Sequence, residues 1–185
     1  MPINQAPFVI GPETISQVCH ELTLQGSMAL FFNHLDAHQP AVVNFVIASM
    51  GRNVPLDQEP SETNKQMGMK AVSLAWFSCR CFELKSNGKM SPFSKSNLMK
   101  HWTQNEALIE AGNLSLSRFL EVMDLEFSNQ AALYAFILET IKLDPSSNDS
   151  LTEEDILVRV DALLIVKSVI EALQEVADGI SSSVD

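Results

Sequence analysis

Residues 150–179, SLTEEDILVRVDALLIVKSVIEALQEVADG, carry the pattern on which the fold is read. Ser150 and Glu153 have the spacing of a capping box, in which each side chain satisfies an orphan amide of the first turn. Glu153, Glu154 and Asp155 add negative charge where the helix dipole favours it, and Gly179 stands where a left-handed residue would close the helix. Inside these limits Ile156, Leu157, Val158, Val160, Leu163, Leu164, Ile165 and Val166 set apolar side chains almost all the way round, broken only by Arg159 and Asp161. A helix apolar on every side must be covered on every side. Farther on, Val169, Ile170, Leu173 and Val176 keep to one face, and Lys167, Glu171, Gln174, Glu175 and Asp178 spread over the other, so this end is expected at a surface. The remaining helices are expected to pack around residues 156–170, unless a second subunit covers part of the girth, as in an obligate dimer contact.

The 185-residue chain is long enough for one domain with a substantial core. Residues 1–11 read as an N-terminal arm on which Phe8, Val9 and Ile10 can dock, 12–179 as an all-helical domain, and 180–185 as a disordered tail. Gly11-Pro12 opens a helix whose apolar residues recur to about residue 36, with Gly26 as its weak point. Pro40 starts a short buried helix ended by Gly51, and residues 52–60, with two prolines and no periodicity, form a loop. A long helix follows from Ser61 or Glu62 to Lys85, with Gln66, Lys70, Ser73 and Arg80 along a polar stripe. Ser86-Asn87-Gly88-Lys89 makes a turn. A helix runs from about residue 94 through Trp102, and Thr103 with Glu106 signals a new one stopped near Gly112. Residues 115–127 and a segment capped by Ser128 complete the set, before a polar loop at 144–149. No segment keeps period-two alternation, so the fold class is all-α: a single-domain multi-helical bundle of about seven helices with a buried C-terminal helix.

Twenty-three acidic against 12 basic residues give a formal charge of −11, a field that repels phosphate backbones. No nucleic-acid partner is expected, and the basic residues between Lys65 and Lys100 are expected to pair with acidic helices. The opening MPINQAPFVIGPE lacks a basic n-region and an apolar h-region, so no secretory leader is expected. The apolar run at residues 162–166 is too short to cross a bilayer. Three cysteines, Cys19, Cys79 and Cys81, are odd in number and point to reduced thiols in a cytoplasmic protein.

His34 and His38 lie four apart, which on a continuous helix puts two imidazoles on one face, as a metal site in a bundle requires. His20 can join them only if the helix is bent. Their place just before Pro40 argues instead for polar residues finishing a helix. Cys79 and Cys81 diverge by about 200° on a helix and read as core thiols. Ser86-x-x-Lys89 matches an acyl-enzyme motif but sits in a turn. Phe77 falls on the polar stripe and, joined by Leu84, marks a contact surface; with Leu157, Val160 and Leu164 it makes the candidate interaction surface. Methionines such as Met67, Met69, Met90 and Met99 suit an adaptable groove or core filling. No catalytic constellation and no cofactor emerge. The leading reading is a non-catalytic helical protein acting through a protein partner or as a homodimer. The alternatives are a bundle binding a metal or small ligand through His34, His38 and His20, and a small acidic chaperone or regulator.

Overall fold

The computed structural model describes residues 8–51, 57–110, 128–141 and 152–182, and among these it contains seven α-helices and no strand. They are α1 (Pro12–Gln25), α2 (Met28–His38), α3 (Pro40–Gly51), α4 (Glu62–Lys85), α5 (Lys95–Glu110), α6 (Ala131–Ile141), entered through a 3-10 turn at Ser128–Gln130, and α7 (Glu153–Ser182). The C-terminal helix packs most heavily on α4 and then on α5, with α3 and α6 also against it. Val160 is half-buried, and Leu164 and Ile165 are fully covered within the chain. The bundle therefore closes around α7. No helix of the described residues is long and apolar enough to cross a membrane.

Local signals set most helix ends. Gly26 leaves the helical conformation (φ −62°, ψ 112°) and divides the apolar run into α1 and α2; a Cβ in that conformation would stand 2.3 Å from the Leu22 carbonyl oxygen. Ser27 caps α2 by accepting from the Leu30 amide at 3.2 Å, and Ser61 caps α4 by accepting from the Asn64 amide at 3.2 Å. Asn87 and Gly88 take the left-handed conformation that ends α4, and the Gly88 amide returns to the Glu83 carbonyl at 2.8 Å.

Four expectations are corrected. The cap of α7 belongs to Thr152 and Asp155: the Asp155 amide donates to Thr152 Oγ1 at 3.1 Å, and the Thr152 amide and hydroxyl donate to Asp155 Oδ2 at 3.1 and 2.7 Å. Gly179 does not end α7, which continues to Ser182. Thr103 and Glu106 open no new helix, because α5 runs unbroken through both. The completely buried stretch of α7 is 162–170, a turn or two beyond the expected centre; Leu157 is 63% exposed, whereas Lys167 is 1% exposed. Residues 115–127, 144–149 and Ser150 lie outside the described residues.

Lys167 is buried because α5 supplies its partners. Its Nζ contacts the Glu171 carboxylate and donates to Asn105 Oδ1 at 2.6 Å, while Asn105 Nδ2 donates to Ser168 Oγ at 3.0 Å and Glu171 Oε2 at 2.7 Å. His101 and Lys100 extend this polar layer to Glu175, at 3.0 and 3.1 Å.

Two buried glutamines clamp extended segments to the bundle with the same geometry. Gln39 Oε1 accepts from the Phe93 amide at 3.2 Å and its Nε2 donates to the Ser91 carbonyl at 3.3 Å. Gln130 Oε1 accepts from the Ile10 amide at 2.9 Å and its Nε2 donates to the Phe8 carbonyl at 2.7 Å. Each side-chain amide thus pairs with residues i and i+2 of an extended chain, as a neighbouring strand would. The second clamp holds Ile10 in the core and Phe8 stacked on Phe82, with centroids 5.3 Å apart.

Removing a partner from a buried backbone group costs about 1–3 kcal/mol. Gln130→Leu orphans the Ile10 amide and weakens the hold on the Phe8 carbonyl, so denaturant unfolding should show a loss of about 2 kcal/mol or more. A second expectation concerns pH. The Thr152 hydroxyl first, and its amide second, hold the Asp155 carboxyl below the usual aspartate range. Its stabilising effect is therefore present above the ordinary aspartate pKa and is lost as pH falls through the lower folded value. Amide exchange in the first turn of α7 should accelerate across that window, and the step should vanish in Asp155→Asn.

Candidate functional site

Helix α2 stays regular through His38, so His34 and His38 share one face, with ring centroids 4.5 Å apart and planes 19° from parallel. The parallel approach of α4 adds a residue that sequence spacing did not offer: Glu83, only 7% exposed. His34 Nε2 lies 3.1 Å from Glu83 Oε2, and His38 Nδ1 lies 3.8 Å from Glu83 Oε1. One donor atom from each of the three falls within 4.8 Å of the other two. Arg80 approaches the same carboxylate, Nη1 to Oε2 at 3.3 Å, while its Nε and Nη2 fork onto Glu21 of α1 at 2.8 and 3.2 Å. Burial by itself raises the Glu83 pKa, but the His34 hydrogen bond, the two imidazoles and Arg80 together hold it below the usual glutamate range. The carboxylate is thus kept ionised inside the protein. Two buried polar atoms here, Glu83 Oε1 and His34 Nδ1, have no hydrogen-bond partner among the described residues. His20 lies exposed on α1, outside this group.

A different feature occupies the other end of the α2–α4 contact. There α2, α3 and α4 leave a groove of about 310 Å³ walled by Met28, Phe32, Ile47, Met50, Met69 and Val72, with Asn64 and Lys65 at its edge. Ile47 and Met69 are 57% and 49% exposed. A Cβ at Gly68, on the groove floor, would meet only Met50 atoms at 3.9 Å, so the glycine leaves room that a side chain would fill. A second hollow, of about 460 Å³, shares Met28 and Met69 and reaches Leu22 and Ser73. From Asn64 to Ser73 the track follows α4 for about 14 Å at about 1.5 Å per residue.

The sequence-derived interaction surface is dispersed. Phe77 is buried and stacks on Phe136 of α6 at 4.4 Å, and Leu164 is buried, so neither faces a partner. Leu84 and Val160 pack against the core, leaving Leu157 as the open member. Phe77 misled because α4 is covered nearly all round in its second half, which makes its polar stripe an inside feature. Met69 does line the groove, with Met28 and Met50 and not with Met67, Met90 or Met99. Of the basic residues between Lys65 and Lys100, Arg80 and Lys100 pair with carboxylates, and Lys70 Nζ donates to the Thr140 carbonyl at 3.3 Å. Cys19, Cys79 and Cys81 are free thiols, and burial pushes the Cys79 and Cys81 pKa values upward, away from a reactive thiolate. The Ser86 hydroxyl donates to the Glu83 carbonyl at 3.0 Å and finishes α4.

Arg80 balances charge at two carboxylates, one of them deeply buried. Removing one partner of a fully buried pair costs about 3–5 kcal/mol, and because Arg80 and Glu21 are partly solvated and Glu83 keeps His34, Arg80→Leu should cost less, about 1–2 kcal/mol by chemical denaturation.

Comparison of the chain with protein-family models, with curated proteins and with solved structures gives no match.

Proposed function

We propose that the chain is a non-catalytic, cytoplasmic helical protein that works by taking up an amphipathic helix of a protein partner in the groove between α2, α3 and α4. The observation that carries this reading is the groove itself, an apolar track with Ile47 and Met69 standing open on its walls. Contiguous exposed apolar surface of this kind marks contact sites, and flexible methionine side chains suit a groove that moulds to its occupant. About 14 Å accommodates two to three turns of helix, anchored through residues at i, i+3 or i+4, and i+7. The cytoplasmic assignment rests on the three unpaired cysteines.

Charge selects the occupant. Lys65 lines the groove and Lys70 the adjoining hollow, but Asp57, Glu59 and Glu62, all exposed, flank groove residue Pro60 in sequence, and the whole chain carries −11. A second copy brings the same excess and is repelled, whereas a helix with Lys or Arg on its outer face is attracted. The motive for a homodimer through α7 also weakens, because the chain covers that girth itself. An acidic body that receives a basic amphipathic segment is likewise what a small chaperone or regulator requires.

The test is fluorescence anisotropy with a labelled amphipathic peptide bearing leucines on one face and lysines on the other. Saturable binding is expected, weakened about tenfold or more by Met69→Glu, which buries a charge in the contact, and by Gly68→Leu, which fills the groove. Binding that is absent, or indifferent to both variants, overturns the proposal. Light scattering should show a monomer; a dimer dissociated by these variants would assign the groove to a second copy instead.

A further inference from the structure

The groove leaves the histidine cluster at the opposite end of α2 and α4 unexplained. An ordinary ion-pair network satisfies its buried atoms, yet here a carboxylate more than nine-tenths buried at its side chain keeps Oε1 without a hydrogen bond, facing His38 Nδ1 at 3.8 Å. His34 Nδ1 is likewise buried and unpartnered among the described residues. A ligand on Glu83 Oε1 would recover the cost of leaving that oxygen unpaired, whereas His34 would bind through Nε2, so its Nδ1 lies outside the donor set.

We propose that His34, His38 and Glu83 form a binding site for a divalent transition-metal ion of zinc-like softness, which ties the C-terminal end of α2 to α4. Two imidazoles and one carboxylate are a donor set that suits such ions, and three protein ligands leave a further position for water. Metal–ligand bonds of about 2.0–2.2 Å place neighbouring donors about 3.3 Å apart in a tetrahedral shell. The observed separations of 3.1 and 3.8 Å, and the 4.8 Å span of the group, need only side-chain rotation to reach it. The His38 side chain is 57% exposed, so an ion has a way in from solvent. Charge also favours a dication: Glu83 and Glu21 against Arg80 leave −1 + −1 + 1 = −1 with both imidazoles neutral. Arg80, held by Glu21, orients the Glu83 carboxylate from behind and acts as a positioning residue.

The experiment is titration of the metal-free full chain with zinc, followed by isothermal calorimetry and by native mass spectrometry. One zinc per chain is expected, together with a zinc-dependent rise in melting temperature. His38→Ala should weaken binding about 100-fold or more, beyond what loss of an outer-shell partner costs, and leave the melting curve of the zinc-free protein unchanged because the side chain is largely at the surface. Glu83→Gln should also abolish the stoichiometric site, and His20→Ala should not affect it. Cobalt(II) in the unmodified protein gives a check free of any folding defect in a variant, since a site with two imidazoles and a carboxylate should produce intense visible bands. Absence of a stoichiometric zinc, equal binding by wild type and His38→Ala, or a cobalt spectrum no stronger than that of the hydrated ion would overturn the proposal and leave the three side chains as an internal ion-pair network.

Discussion

From Ala162 to Ile170 every residue of α7 is buried, and from Leu74 to Glu83 every residue of α4 except Arg80 is buried. The packing of these two stretches against each other is the constraint from which the other helices take their places. Both helices contribute large fully buried side chains, Phe77 and Phe82 from α4 and Leu163 and Leu164 from α7 among them. Burial of one such side chain contributes about 1.5–3 kcal/mol before ordering entropy opposes it. Small side chains are buried along both helices: Ala71, Ala75 and Cys79 of α4 and Ala162 and Ala172 of α7 are all completely buried. α5 and α6 then cover α7, and α1, α2 and α3 cover α4.

Burying two helices on nearly all sides brings polar side chains inside, and the structure satisfies them locally. Ser78 and Ser168 return their hydroxyls to the carbonyls of Leu74 and Leu164, each at 2.8 Å. Lys167 finds Asn105 and Glu171, and the two buried glutamines use their amides to dock extended chain where no strand partner exists. Unmade hydrogen bonds in such a setting cost more than made ones return, so these pairings specify how the helices register as well as how firmly they hold. The α2–α4 cluster stands apart from this pattern, because Glu83 is ionised and buried while one of its oxygens is left over.

Much of this architecture was legible in the residues themselves. Caps, breaks and periodicity are local, and they located α3 and α4 almost to the residue and marked Gly26 as the weak point of what the structure shows to be two helices, α1 and α2. The buried C-terminal helix was legible from its apolar circumference. What escaped was set by distant partners. Lys167 looked exposed because its hydrogen-bond partner Asn105, which covers it from α5, lies 62 residues away, and Phe77 looked like a surface aromatic because α6 supplies Phe136. Thr103 and Glu106 had the spacing of a cap, but tertiary packing carried α5 through it. His34 and His38 were visible as a pair, yet Glu83 belongs to another helix and no local spacing announces it. The groove was hardest to foresee, since Met28, Met50 and Met69 come from three helices and the sequence alone left the methionines divided between groove lining and core filling.

Two features that face the outside, the methionine-lined groove and the histidine–carboxylate cluster, sit at opposite ends of the same α2–α4 contact, and both depend on α4 being held rigid by α7. Native-state hydrogen exchange resolved along the chain tests that dependence most directly. The slowest amides should lie in residues 162–170 of α7 and 74–83 of α4, and both sets should exchange only through global unfolding, with a common free energy. Exchange of either stretch through a separate, lower-energy opening, faster than α1 or α2, would contradict it.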